Sequence, residues 1–440
     1  MIQMIDAKKL LKGSLNKLGM TSKDTFVFGE ESTHKNHYTK IIKFNYILKS
    51  VEEFKLKKEA DLISNVTLNK VLYYGKDLFD LNEKKNYIKI YKFDCDEFKD
   101  DFITKIEIGN CKDKIDLRFG GILTGIDYRY AILLIPDYEV NGESFFKDAF
   151  LIDSILKKSY SFKNIIGQKE EVLKIDSILV DYSGEYIAFK TGRIGDFEKK
   201  EFYDEYKNDL VQSRKVNNII DKSITLEPKK FKDITDECST IEPKKFKEIM
   251  DKSVTEFIDK KEIYDNEEDL IICEKDEFIN KVKNKVNLNR DRIIEKCKFD
   301  KSVRLISMDN DKIYYLLRDF KSSLKYLKSY DFKSKEIKTI EVEEKYDYIE
   351  MHNNKFYGFI KKEDSFFDVY SIRDNYKILE SDGEAFYVDE KILVSGNIIL
   401  KDDKFTRYLK VYNVKDGSIL DSFEFTNMCF DFIEKVIVFW

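Results

Sequence analysis

One short pattern recurs along this chain and restricts the folds open to it. An acidic residue or asparagine, then lysine, leads into a run of β-branched and aromatic residues. It is written "NKVLYYG" from Asn69, "DKIYYLL" from Asp311, "NKFYGFI" from Asn354, "EKILVSG" from Glu390 and "EKVIVFW" from Glu434. Another short apolar run precedes the later copies: "RLISM", "YIEM", "AFYV" and "CFDF". Two brief apolar runs joined by polar residues predict a tight hairpin. Behind most copies comes a second alternating pair, such as "LKVYNVKDGSIL" from Leu409 or "FDVYSIRDNYKIL" from Phe367. Its centre carries turn residues, Lys415-Asp416-Gly417 and Arg373-Asp374-Asn375. Similar pairs stand earlier, in "IKIYKFDCDEF", "TKIIKFNYILKSV" and, more weakly, "DAFLIDSIL".

The spacing of these units decides the architecture. Ile313, Phe356, Ile392 and Val436 lie 43, 36 and 44 residues apart. Four strands every ~40–45 residues is the requirement of a propeller blade. Val71, Ala131 and Ile187 follow at wider steps of 60 and 56 residues, which leaves room for loops. A pair of β-sandwich domains is the competing reading, but sandwiches do not sustain such a period. The expectation is an all-β chain with a helical insert, folded as a closed propeller. Counting places blades near residues 63, 121, 176, 304, 347 and 385. A seventh is shared between the chain ends, because "DTFVFGE" and "YTKIIKFN" lack an inner pair and Trp440 follows one directly. An eighth fits if residues 264–303 hold it.

The segment "YLKVYNVKDGSIL" resembles the third strand, turn and fourth strand of a WD-repeat β-propeller. At superfamily level the resemblance covers most of residues 24–213 and 304–440. The Gly-His and Trp-Asp dipeptides of that family are absent, and Tyr412-Asn413 and Tyr330-Asp331 stand near the Trp-Asp position. The resemblance implies a propeller that serves as an interaction platform.

Two segments fall outside the strand pattern. Met4, Leu11, Leu15 and Leu18 recur at helical spacing, which predicts an amphipathic helix over residues 1–20. Residues 21–213 and 304–440 then carry the blades, and 214–303 form a helical insert. Within the insert a 15-residue unit repeats: "IIDKSITLEPKKFKD", "ITDECSTIEPKKFKE" and, losing register, "IMDKSVTEFIDKKEI", over residues 219–263. Thr225 and Thr240 sit as N-caps, with Pro228 and Pro243 in the first helical turn. Each unit reads as a short helix that needs something to pack against. A duplicated, tolerated loop is one reading. The other is a partner-docking element that presents Phe231, Phe246, Lys229, Lys230, Lys244 and Lys245.

Composition removes several classes of function. Lys+Arg 78 against Asp+Glu 83 gives a net charge of −5, without the basic excess expected of a nucleic-acid binder. No run approaches the ~18 apolar residues of a membrane span. Charged residues break the N-terminal stretch, so no signal peptide is expected. The six cysteines form no CxxC pair and read as reduced thiols of a cytoplasmic protein. Three histidines, two of them in "HKNH", make a poor metal site. No phosphate-binding glycine loop or nucleophile elbow is present. The sequence therefore predicts no catalytic, cofactor-binding or metal residues and no cofactor. The function expected is a protein–protein interaction scaffold. The alternatives are an enzyme with carboxylate chemistry in the propeller channel, or an RNA- or ribosome-associated factor.

Overall fold

The runs that dominate the sequence pattern are the second strands of blades, and two of them have no exposed residue at all. "YAILLIP" (Tyr130–Pro136) and "VIVF" (Val436–Phe439) are buried at every residue. A strand pressed between neighbouring sheets has no solvated face, so it reads as a continuous apolar run and not as an alternation. Fourth strands show the opposite. Ile337–Val342 and Ile419–Phe425 are exposed along most of their length.

The computed structural model describes residues 3–32, 37–80, 82–110, 121–136, 146–162, 173–181, 184–193, 268–288, 292–297, 301–309, 311–319, 322, 324–343, 345–352, 355–362, 366–401, 404–425, 427–431 and 436–440. They build an eight-bladed β-propeller. A short strand, β1 (Gln3–Asp6), comes first. Blade 1 follows as β2 (Ser14–Ser22), β3 (Thr25–Glu31), β4 (Tyr38–Asn45) and β5 (Ser50–Ala60). Blade 2 holds β6 (Leu62–Ile63), β7 (Val71–Asp80), β8 (Lys85–Asp94) and β9 (Lys99–Asn110). In blade 3 are β10 (Ile122–Gly125), β11 (Tyr130–Pro136), β12 (Phe146–Asp153) and β13 (Lys158–Ser161). Blade 4 comprises β14 (Leu173–Val180), β15 (Tyr186–Arg193), β16 (Glu268–Glu274), the helix α1 (Lys275–Asn284) and β17 (Ile293–Cys297). Next come blade 5, with β18 (Lys301–Met308), β19 (Lys312–Asp319), β20 (Leu324–Asp331) and β21 (Ile337–Val342), and blade 6, with β22 (Tyr348–His352), β23 (Lys355–Lys361), β24 (Phe366–Ser371) and β25 (Tyr376–Asp382). Blade 7 is β26 (Glu384–Val388), β27 (Ile392–Lys401), β28 (Lys404–Asn413) and β29 (Ile419–Phe425). Blade 8 joins β30 (Met428–Asp431) and β31 (Val436–Phe439) to β1. First strands of successive blades approach one another, β6 with β10 and β18 with β22.

Eight blades replace the expected seven, and the extra one is blade 1. Its inner strand β2 covers the stretch read as a helix. The reason lies in two register shifts, at Lys17/Gly19 and Met20/Ser22. Each bulge adds a residue, so Leu15, Leu18 and Thr21 turn inward at steps of three and imitate a helical stripe. Gly19, with φ +147°, sits in the first bulge, where a Cβ would come within 2.9 Å of the Val66 side chain. The chain ends do share a blade, but the N-terminal contribution is β1, paired parallel to β31.

The insert also moves. Its expected span ran to residue 303, between blades. Residues 268–297 instead form two strands and the helix of blade 4. The 15-residue repeats of 219–263 enter between the second and third strands of that blade, and they lie outside the described residues.

The closing seam is packed with aromatic and aliphatic side chains. Phe26, Phe28, Ile42 and Phe44 of blade 1 meet Val436, Val438 and Trp440. The Trp440 ring stands edge-on to Phe28 at 5.4 Å, and its Nε1 donates to the Gly13 carbonyl at 3.3 Å. Trp440→Ala is expected to cost about 3–5 kcal/mol. Urea unfolding followed by far-ultraviolet circular dichroism checks this.

Candidate functional site

One end of the propeller is built from a repeated turn. In blades 1, 2, 3, 5 and 7 the third strand, or the residue that ends it, supplies a side chain that caps the loop to the fourth strand. Asn45 Oδ1 accepts from the Leu48 N–H at 2.8 Å. Asp94 Oδ1 accepts from Asp96 and Glu97, Asp331 Oδ1 from Lys333 and Ser334, and Asn413 Oδ1 from Lys415. In blade 3, Asp153 Oδ1 accepts from Ile155 at 3.2 Å and Leu156 at 3.1 Å. These are Asx turns, which Asp and Asn favour because their short side chains reach the backbone two residues on.

Four residues after the cap, the backbone is left-handed in every such turn. The residues are Lys49, Phe98, Lys157, Lys335, Asn375 (after Ser371) and Gly417. The residue directly after the cap donates its N–H to the hairpin joining the first and second strands. Tyr46 reaches the Asp24 carbonyl, Cys95 reaches Lys70, Ser154 reaches Arg129, Phe332 reaches Asp311 and Val414 reaches Lys391. The two loop types of a blade therefore form one hydrogen-bonded layer.

Aligned on the cap, the two central turn positions separate the blades. They hold Asp96-Glu97, Lys333-Ser334, Arg373-Asp374 and Lys415-Asp416 in blades 2, 5, 6 and 7. In blade 1 they hold Ile47-Leu48, and in blade 3 Ile155-Leu156. All four aliphatic side chains are exposed, Ile155 at 57 % and Leu156 at 50 %. Polar turn chemistry would serve equally well at these positions, as the other blades demonstrate.

The blade 3 turn is also the most firmly held. Asp153 is fully buried, and its carboxylate accepts from Arg129 Nε at 2.9 Å, the second Arg129 nitrogen at 2.8 Å and Lys283 Nζ at 2.7 Å. Burial alone pushes this carboxyl up. The hydrogen bonds from Arg129 and Lys283 outweigh burial and hold it well below the usual carboxylate range. With five donors aimed at two oxygens, Asp153 has no lone pair left for general-base work.

Lys283 arrives on α1, which takes the place of the capped turn in blade 4: Lys275 N–H donates to the Glu185 carbonyl. The helix buries Phe278, Ile279 and Val282 against Tyr130, Leu151, Phe162 and Phe189. Asp276 and Glu277 in its first turn and Lys281 and Lys283 in its last suit the helix dipole. Lys275 also pairs with Asp127 at 2.9 Å.

Tyr128 completes the surface. Its backbone N–H donates to Asn69 Oδ1, and its carbonyl accepts from Tyr73 Oη at 2.9 Å and Ser154 Oγ at 3.3 Å. The ring stays exposed, with Lys92 Nζ 3.7 Å from its centroid. Leu68, beside Asn69, is exposed as well. Leu68, Tyr128, Ile155 and Leu156 thus sit on one hydrogen-bonded scaffold. Lys157 and Lys158 follow directly, exposed and with no ion pair among the described residues.

Phe231, Phe246, Lys229, Lys230, Lys244 and Lys245 lie outside the described residues. The strand pattern of the sequence does not single out the exposed aliphatic pairs, although "FNYILKS" and "LIDSILKK" contain them. Their signal is an Ile-Leu pair two residues after Asn or Asp, where a turn favours polar residues. Of the histidine pair, His37 is described; its Nδ1 lies 2.6 Å from Asp61 Oδ1. Among the described residues no three His, Cys, Asp or Glu gather to hold a metal ion, and no helix is long and apolar enough to cross a membrane. Cys95, Cys273, Cys297 and Cys429 are buried thiols.

No protein-family model matches the chain, and no curated protein matches its sequence. Several solved structures are similar to the chain at low identity. A structure from an analysis of two prolyl endopeptidases is 9 % identical with a TM-score of 0.45, covering 93 % of this chain and 49 % of that one. The β-propeller domain of the Trilobed protease from Pyrococcus furiosus is 10 % identical, TM-score 0.40, covering 94 % and 97 %. The propeller domain of Cps50 (Swd1) from Myceliophteria thermophila is 8 % identical, TM-score 0.40, covering 95 % and 99 %. The chain thus spans about half the length of the endopeptidase it matches.

Asp153→Asn strands Arg129 and Lys283 beside a buried amide. It is expected to cost about 2–3 kcal/mol, less than a fully enclosed pair because both cations are partly exposed. The native carboxyl is depressed, so its contribution is present above the unfolded pKa of ~3.9 and is lost as pH falls below it. Urea midpoints of wild type and variant at neutral pH and in acid should converge as pH drops.

Proposed function

We propose that this protein is a non-enzymatic, cytoplasmic protein–protein interaction scaffold whose docking surface is the capped-turn end of blades 1 to 3. The supporting observation is the pair of exposed aliphatic dipeptides, Ile47-Leu48 and Ile155-Leu156, at positions that are polar in the other capped turns. Exposed apolar groups on a rigid support mark binding surfaces, because association removes them from water at little ordering cost. Tyr128, tethered through its backbone on both sides, is suited to be a rigid aromatic anchor. Lys49, Lys157 and Lys158 flank the aliphatic pairs, so the partner has an apolar strip bordered by carboxylates.

The 219–263 repeats are a second docking element in this reading, with Phe231, Phe246, Lys229, Lys230, Lys244 and Lys245 as its contacts. The two elements are separable by experiment. Affinity capture from the native cell compares the full chain, a chain lacking residues 219–263, and Ile155→Asp with Leu156→Asp. Each substitution buries nothing in the free protein, so folding should be unchanged within about 0.5 kcal/mol. Partners of the turn surface should be lost from the double variant and retained by the deletion. Recovery of the same partners by all three proteins would sink the proposal.

A further inference from the structure

Blade 8 is the odd sheet of the propeller. Among the described residues it has three strands in the order β1, β31, β30, while each of the other blades has four. Its outer strand β1 pairs with β31 only: Gln3 with Val436, Met4 with Ile437, Ile5 with Val438 and Asp6 with Phe439. The Ala7 N–H continues the ladder to the Phe439 carbonyl at 2.9 Å. In a parallel ladder only alternate residues turn their backbone groups toward the partner. The Ala7 bond fixes which: Ile5 and Ala7 face β31, so the N–H and C=O of Met4 and Asp6 face outward. They have no backbone partner among the described residues.

The same residues line a cleft of about 410 Å³ beside this edge. Met4, Asp6, Lys8 and Phe439 of blade 8 line it together with Ser422, Phe423 and Glu424 of blade 7. Phe423 and Phe439 stack obliquely at 5.4 Å and make its floor apolar. Lys8 is committed: its Nζ donates to the Glu424 carbonyl at 2.7 Å and lies 5.7 Å from the Phe439 ring. Asp6 and Glu424 add two exposed carboxylates to the lining, Asp6 Oδ1 accepting from the Lys8 N–H at 3.0 Å.

We propose that this edge accepts an extended strand of a partner protein, which completes blade 8 as its fourth strand. Backbone pairing to Met4 and Asp6 supplies the register, as in other cases of strand addition. The cleft takes one apolar side chain over Phe423 and Phe439, and Asp6 with Glu424 favours lysine or arginine beside it. The site is an edge of blade 8, separate from the capped-turn surface, so its failure leaves the proposed function standing.

Proline discriminates between the two kinds of position on β1. Met4→Pro removes an outward N–H and leaves the ladder to β31 whole, whereas Ile5→Pro removes a ladder bond. The probe is a fluorescein-labelled peptide in which valine alternates with lysine and threonine, titrated into the full chain and followed by polarisation. Expected are saturable binding, weakening of roughly tenfold by Met4→Pro, and weakening when glutamate replaces the peptide's lysines. Hydrogen exchange on the unmodified protein is the variant-free check: the Met4 and Asp6 amides should exchange freely alone and slow when peptide is bound. No binding at millimolar peptide, or no protection at those two amides, overturns the proposal. Self-association abolished by Met4→Pro also overturns it, by assigning the edge to a second copy of the chain.

Discussion

Everything in this propeller depends on a pairing between residues 3–6 and residues 436–439. These are among the most distant contacts the chain can make, and the loop they close contains all the other blades. The loop-closure penalty grows only logarithmically with length, so the pairing is affordable in equilibrium terms. Its kinetic burden is larger, because contacts of such sequence separation form late. The seam compensates with side chains: Phe28 and Trp440 meet edge to face, and Val436 and Val438 are buried against Phe26 and Phe44. Closure removes the inner sheet edges that an open array of blades would expose.

Six blades share one turn design, with the left-handed residue at Lys49, Phe98, Lys157, Lys335, Asn375 or Gly417, and their differences fall at its two central positions. Asx capping and a left-handed residue are backbone solutions that tolerate many side chains between them. The fold is therefore indifferent to whether Ile-Leu or Asp-Glu stands there. Blade 3 adds a device that the others lack, because α1 of blade 4 sends Lys283 onto the capping carboxylate of Asp153. A helix in one blade thus stiffens a loop in the next. Preorganisation of this kind lowers the ordering cost of any contact that Ile155 and Leu156 make.

Much of the fold was legible because second strands are the most apolar of each blade, some of them buried at every residue. "VLYYG", "KIYYLL" and "VIVFW" announce themselves by apolar runs, and their period reports the blade. Blade 1 was hidden by its bulges, which convert a two-residue alternation into steps of three at Leu15, Leu18 and Thr21. Blade 4 was found by its inner strands near residue 176, but its outer pair was hidden by distance, since "DLIIC" at Asp269–Cys273 completes a sheet begun before residue 193. The turn surface was harder to see. The Ile-Leu pairs look like strand residues until the caps at Asn45 and Asp153 are known, and only then do they become aliphatic groups in a place for polar ones. Lysines were uninformative for the opposite reason: in a chain with Lys+Arg 78, residues such as Lys49 and Lys157 gain meaning only from their left-handed backbones.

The attachment of the 15-residue repeats to blade 4 has a consequence of its own. Gly192 and Glu268 are direct partners on adjacent antiparallel strands. The excursion from 194 to 267 therefore leaves and rejoins the sheet across one rung of the ladder, a Cα separation of about 5 Å. A segment anchored in this way places no demand on its own length. Gain or loss of one EPKKFK unit by slippage during replication would leave every strand in register. The sheet that carries the repeats therefore sets no limit on their number.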